Sequence, residues 1–244
     1  MIISHSRRFI FVHIHKTGGT SMELAVANFL AWDDIILGSS ALGEVMNDCQ
    51  RDRFGLYKHS SIADIERVCG PEICKSYFVF ATVRHPLDRM CSLYNFVGTR
   101  VHRYAAAHGI APRELGEHVF SHDAYETAPE LAWPASAAFM ATPDFSRFIR
   151  DERLLEDEAF QTQVSRLRSS VDRAISAKVL RLEAQAEWVV RLKEALGLPF
   201  ISLPHANKSE ATLIAAAQVT SEDRACIEDR FREDYIAFKY PSSP

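Results

Sequence analysis

The stretch His15-Lys16-Thr17-Gly18-Gly19-Thr20-Ser21 gathers one full positive charge, two adjacent glycines and three hydroxyls. Paired glycines allow a tight turn and let a ligand approach the backbone with no Cβ in the way. If a helix starts at that turn, its first N–H groups and the positive end of its dipole aim at one spot, which suits an anion. A second group is Arg84-His85-Pro86-Leu87-Asp88-Arg89-Met90-Cys91-Ser92-Leu93-Tyr94. There Arg84 can fork onto a phosphate and Ser92, two turns into the following helix, can add its hydroxyl to the same group. The plainer alternative for this group is a helix cap with an Asp–Arg pair on the surface.

The order of residues narrows the anion. A nucleotide triphosphatase carries GxxxxGK[ST], with the hydroxyl after the lysine on Mg²⁺ and an acidic residue at the end of a neighbouring strand. Here the lysine precedes the glycines, and the neighbouring run ends in Val83-Arg84-His85, a cation where the metal-holding acid would be. The pattern predicts phosphate binding without metal.

Both groups need strands and helices to hold them. Phe9-Ile10-Phe11-Val12-His13-Ile14 is a nearly continuous apolar run, as is 76–83, and each reads as a strand buried on both faces of a parallel sheet. Residues 20–32 repeat Met22, Val26, Phe29 and Leu30 at helical spacing. Pro86 suits the first position of a second helix, expected to run to about Gly98. A third strand is expected at 178–182, followed by a helix from Ala184 to Leu196 closed by Gly197 and Pro199. Residues 221–238 read as one docking helix. Between Thr99 and Ser176 the pattern weakens to helical composition broken by prolines. Strands alternating with helices predict a single α/β domain over 1–244, a three-layer P-loop-like fold with a central, mainly parallel sheet flanked by helices. Sites in such sheets lie at the carboxyl ends of the strands, where both groups fall.

Bulk properties exclude other classes. Hydrophobic residues are 47% and charged residues 25%, the mix of a globular protein with a core, and the formal net charge of −4 offers no general pull toward nucleic acid or an anionic membrane. The first fifteen residues read as a short polar start and a strand, not a signal peptide, and no window reaches the about 18–20 apolar residues of a membrane span. The five cysteines form no CxxC pair and no zinc spacing. A cytoplasmic, reduced and metal-free protein is the expectation, with Cys91 in the core and Cys69 and Cys74 at loop edges.

Together the two groups resemble the sulfotransferase superfamily, in particular its carbohydrate-type branch with the HIPKTGGTS signature. The resemblance implies that the glycine turn, Lys16 to Ser21, binds the 5′-phosphosulfate of 3′-phosphoadenosine-5′-phosphosulfate (PAPS), and that Arg84 and Ser92 bind its 3′-phosphate, leaving PAP as product. It also reaches Tyr57-Lys58-His59, Leu182-Glu183, the segment Pro204 to Ser209 and the terminal Tyr-Ile-Ala-Phe-Lys-Tyr, and leaves 99–176 unmatched. One departure stands out: the signature has proline before the lysine and this chain has His15, so a fixed φ is lost.

Sulfuryl transfer sets an acceptor hydroxyl in line with the leaving phosphate oxygen, and the protein positions groups and stabilises charge. Lys16 is the candidate for the charge on the bridging oxygen. A base near neutrality suits imidazole. Of ten histidines, His59 lies where the family places its base, while His13 reads as a core histidine and His85 as a helix cap. Lys208 is a candidate for a loop over the adenosine. The expected acceptor is a hydroxyl-bearing molecule, a glycan or other alcohol, placed by the insertion 99–176 with Phe96, Tyr104, Tyr125 and Trp133 available for stacking. A P-loop nucleotide kinase and a non-catalytic PAP(S)-binding module are the competing readings.

Overall fold

The computed structural model describes residues 1–111, 114–115, 129–199, 201–203 and 212–242. Lys208 and Tyr125 lie outside them. Along the chain come β1 (Ile2–Ser4), β2 (Phe9–Val12), α1 (Gly19–Ala27), β3 (Ile35–Ile36), α2 (Ala41–Phe54), α3 (Ile62–Cys69), α4 (Pro71–Ser76), β4 (Phe78–Val83) and α5 (Pro86–His108). After these follow α6 (Pro134–Ala141), α7 (Phe145–Phe148), α8 (Gln163–Leu167), β5 (Lys178–Arg181), α9 (Gln185–Ala195), α10 (Ser221–Arg230) and α11 (Arg232–Phe238). The chain forms two compact units, one of Met1–His85, Thr162–Lys208 and Ile236–Lys239, the other of the remaining segments.

The first unit is the sheet and its helices, an α/β fold with strand order β3-β1-β2-β4-β5. Its central pairings are parallel: β2 lies in register with β4 from Phe9↔Phe78 to Val12↔Ala81, and β4 with β5 from Phe80↔Lys178 to Val83↔Arg181. The mainly parallel centre agrees with the sequence. The far edge does not, because the supposed polar start contains β1, antiparallel to both β2 and β3. Three residues, Ile2, Ile3 and Ser4, are too short a signal to read as a strand, yet all three are buried once paired. Asp34 secures that edge, accepting from the Ser6 amide at 3.0 Å and the Ala31 amide at 2.8 Å. Phe9, Phe11, Met22, Val26, Phe80, Leu180, Trp188 and Leu192 pack as one buried cluster. Helix α9 is fastened to its own strand by Trp188 Nε1, which donates to the Arg181 carbonyl at 2.8 Å. Cys74 is buried within α4 and not at a loop edge, and burial pushes its thiol up to about 12.

The second unit is helical. Helix α5 continues past Gly98 to His108. Gly98 is there for close packing and not as a stop: a Cβ would lie 2.4 Å from Leu213 Cδ1 and 2.7 Å from the Phe139 ring. Tyr94 meets Phe139, Phe145 and Phe148 at centroid distances of 5.0, 5.4 and 5.2 Å. Asn95 brackets the segment before α10, accepting from Leu213 N at 2.8 Å and Ile214 N at 2.9 Å and donating to Ile214 O at 2.8 Å. The expected single terminal helix is two, separated at Phe231 (φ −108°, ψ 23°), whose fully buried ring stands edge-on to Phe160. Among the described residues no helix is long and apolar enough to cross a membrane.

Because the Gly98 site is already filled, Gly98→Ala should overpack it and cost about 1–3 kcal/mol, read as a lower urea midpoint with an unchanged m-value.

Candidate active site

Two local features shape the turn between β2 and α1. Gly18 caps α1 in a left-handed conformation (φ 82°, ψ 15°) with no side-chain cap, and Lys16 is also left-handed at φ 63°. A left-handed non-glycine residue costs of order 1–3 kcal/mol and persists where its surroundings enforce it. Thr17 supplies part of that enforcement. Its side chain is fully buried, donates from Oγ1 to Ile14 O at 3.0 Å and lies 3.4 Å from Thr82 Oγ1 on β4. The Thr17 hydroxyl is therefore used within the fold, and only its backbone remains for a ligand. At the first turn of α1 the amides of Gly19 and Thr20 have no acceptor within the helix.

Gly19 is required from behind. A Cβ there would lie 2.0 Å from His13 Cδ2 and 2.3 Å from His13 Nε2. His13 is nearly fully buried, and its Nδ1 is 2.8 Å from Glu23 Oε1 on α1. The Met1 amine also donates to Glu23, and to the Leu37 and Lys58 carbonyls at 3.0 Å each. Burial works against the Glu23 carboxylate, but His13 and the amine outweigh it and hold the group ionised, well below the usual carboxylate range. Burial also lowers the His13 imidazole below its ordinary value.

His59 joins this arrangement from a loop anchored on both sides. Lys58 N donates to Asn47 Oδ1 at 2.7 Å and Tyr57 N to Ser60 Oγ at 2.9 Å, and Ser61 and Asp64 form a reciprocal capping box at the start of α3. His59 Nδ1 is 2.9 Å from the His13 carbonyl oxygen. A carbonyl only accepts, so Nδ1 carries the proton and Nε2 keeps its lone pair. The ring lies flat on His15, with centroids 3.5 Å apart and planes 25° apart, and edge-on to His13 at 4.6 Å. The Arg166 guanidinium on α8 donates to the His59 carbonyl. Burial first, then the charges of His15 and His13, set the His59 pKa well below its ordinary value. The imidazole is thus a neutral acceptor at neutral pH.

Arg84 sits directly after β4 with its backbone clamped by one side chain: Arg84 N donates to Gln163 Oε1 and Gln163 Nε2 to Arg84 O, both at 2.9 Å. The next amide, His85 N, donates to Glu183 Oε1 at 2.6 Å. Arg84 belongs to the first unit and Ser92, part-exposed on α5, to the second. Arg89 is not in a surface pair. It is 1% exposed, donates to Ala159 O at 2.9 Å and Gln161 O at 2.7 Å, and lies 5.1 Å from the centroid of the Phe231 ring; burial lowers its pKa to about 10. Glu23, Gln163 and Arg166 were not legible as site residues. Glu23 left one trace, a carboxylate one turn before Val26 on the inward stripe of α1. Gln163 and Arg166 left none, since their partners are 79 and 107 residues away.

A parallel strand ending in a glycine turn that opens a helix, with a part-buried imidazole stacked beside the turn, is what this α/β protein carries at the carboxyl edge of its sheet. The chain belongs to the sulfotransferase family: the model of that family matches residues 1–241. No curated protein and no solved structure matches the chain.

On acidification through 6.5, the ordinary value for histidine, the unfolded chain binds protons at these positions before the folded one does. Stability is then complete above 6.5 and declines below it. Urea unfolding across pH should show that decline, and His59→Asn, which can still donate to the His13 carbonyl but does not titrate, should flatten it.

Proposed function

We propose that the protein transfers a sulfuryl group from PAPS to a hydroxyl of a carbohydrate, glycoconjugate or other alcohol. The observation that carries this reading is the placement of His59. Its ring stacks on the residue immediately before Lys16, so the candidate base and the candidate charge stabiliser stand one residue apart at the turn. The first-turn amides of α1, with Gly18, Gly19, Thr20 and Ser21, suit the 5′-phosphosulfate, and the unhindered backbone at the glycines fits that group. Arg84 and Ser92 take the 3′-phosphate on the strength of the sequence resemblance. Lys208 belongs to the same reading by resemblance alone.

His59 Nε2 accepts the proton of the acceptor hydroxyl as that oxygen forms its bond to sulfur. The bond from sulfur to the 5′-phosphate oxygen breaks, and Lys16 stabilises the negative charge that this oxygen gains. All the charge stabilisation comes from side chains and amides, so the reaction is proposed to need no metal. The segment 99–176 is proposed to select the acceptor, with Phe96 and Trp133, stacked in parallel at 6.3 Å, as an aromatic surface suited to a sugar ring.

Calorimetry should show PAP binding that survives chelation of divalent metal and exceeds ATP binding. A preference for ATP, or dependence on Mg²⁺, would overturn the reading in favour of a nucleotide kinase. His59→Ala should lower turnover by about 10²–10⁴-fold with PAP affinity retained, whereas Lys16→Ala and Arg84→Ala should weaken PAP binding itself. Binding of PAP with no transfer to any alcohol would favour a non-catalytic module.

A further inference from the structure

The sulfotransferase signature places proline before the lysine, and here that place holds an imidazole lying face to face with His59. We propose that His15 is a positioning residue for His59: it is the second wall of a slot that keeps the base in one ring orientation and one tautomer. The inference rests on the reading of His59 as the base and goes beyond it by assigning a role to the residue where this chain departs from the signature.

The orientation of His59 depends on one hydrogen bond, Nδ1 to the His13 carbonyl. Rotation about the Cβ–Cγ bond would break it, and a half-turn would put Cδ2 where Nδ1 stands. His13 meets the ring edge-on at 4.6 Å and cannot stop that rotation from its side alone. His15 covers a face at 3.5 Å, so a ring turning out of its plane would collide with it. A proline ring is puckered and non-aromatic, and gives neither the flat contact nor a titratable neighbour.

His15 also acts through charge. The groups around His59 are the His13 ring and carbonyl from the end of β2, Glu23 of α1 behind His13, Arg166 of α8 on the His59 carbonyl and the Tyr57 hydroxyl, Lys58 beside it in sequence, and the Met1 amine. Most of these are cationic or can become so, and Glu23 is already engaged by His13 and the amine. A proton on His15 therefore opposes one on His59, and the pair favours a neutral base.

Nitrogen-15 NMR of the histidine rings tests this directly, in wild type and in His15→Phe, His15→Ala and His15→Pro, with PAP calorimetry confirming a folded turn. Wild type should show His59 as the Nδ1–H tautomer with a midpoint below 6.5. His15→Phe keeps the flat wall and removes the charge, so the tautomer should persist while the midpoint, and the acid limb of the kcat profile, move to higher pH. His15→Ala and His15→Pro should give mixed tautomers and lower kcat by up to about 10²-fold with PAP affinity unchanged. If the His59 tautomer and midpoint in His15→Ala match wild type, the proposal is overturned. If they change but turnover does not, the positioning role stands and the assignment of His59 as the base fails.

Discussion

With 2.0 Å between His13 Cδ2 and the place a Cβ would take on Gly19, the glycine turn is pressed against a buried histidine, and most of the site follows from that contact. Only glycine lets α1 start so close to β2. Because α1 starts there, Glu23 reaches His13, and because His13 is held, its carbonyl can orient His59. The glycines thus serve two surfaces at once. One side leaves the backbone unhindered by any Cβ, and the other makes room for the His13 imidazole, whose own carbonyl meets His59.

The electrostatics follow the same layout. A buried histidine beside a buried carboxylate, with an amine on the same carboxylate, is a compact arrangement in which Glu23 faces two groups that are cationic or can become so. It offsets their charge without reaching His59, which stays neutral through burial and through its neighbours. Net charge over the chain has no bearing on this. A formal balance of −4 says nothing of a turn whose local field comes from backbone dipoles and a lysine held in an uncommon conformation.

Similar-looking motif residues turn out to have unlike environments. In the run from Arg84 to Tyr94, Arg84 has its backbone clamped at the end of β4, whereas Arg89 is buried against Phe231 and two carbonyls, and Tyr94 lies in an aromatic cluster. The sequence offered Arg89 as half of a surface pair with an aspartate, but sequence spacing does not report depth. Residue type misled in the same way at Gly98, where a glycine that reads as a helix end is a point of close packing.

The sequence by itself determined the strands β2, β4 and β5, the turn that follows β2 and the membership of the family, because apolar runs, β-branched segments and glycine turns carry dense local signals. It also singled out His59 and the oddity of His15. Strand β1 escaped it, since three residues carry too little periodicity. So did Glu23, Gln163 and Arg166 as parts of the site, since their partners arrive from other elements. Only the tertiary structure decided which nitrogen of His59 holds the proton and what lies against each face of its ring. Those are matters of distance between atoms far apart along the chain, and no local pattern encodes them.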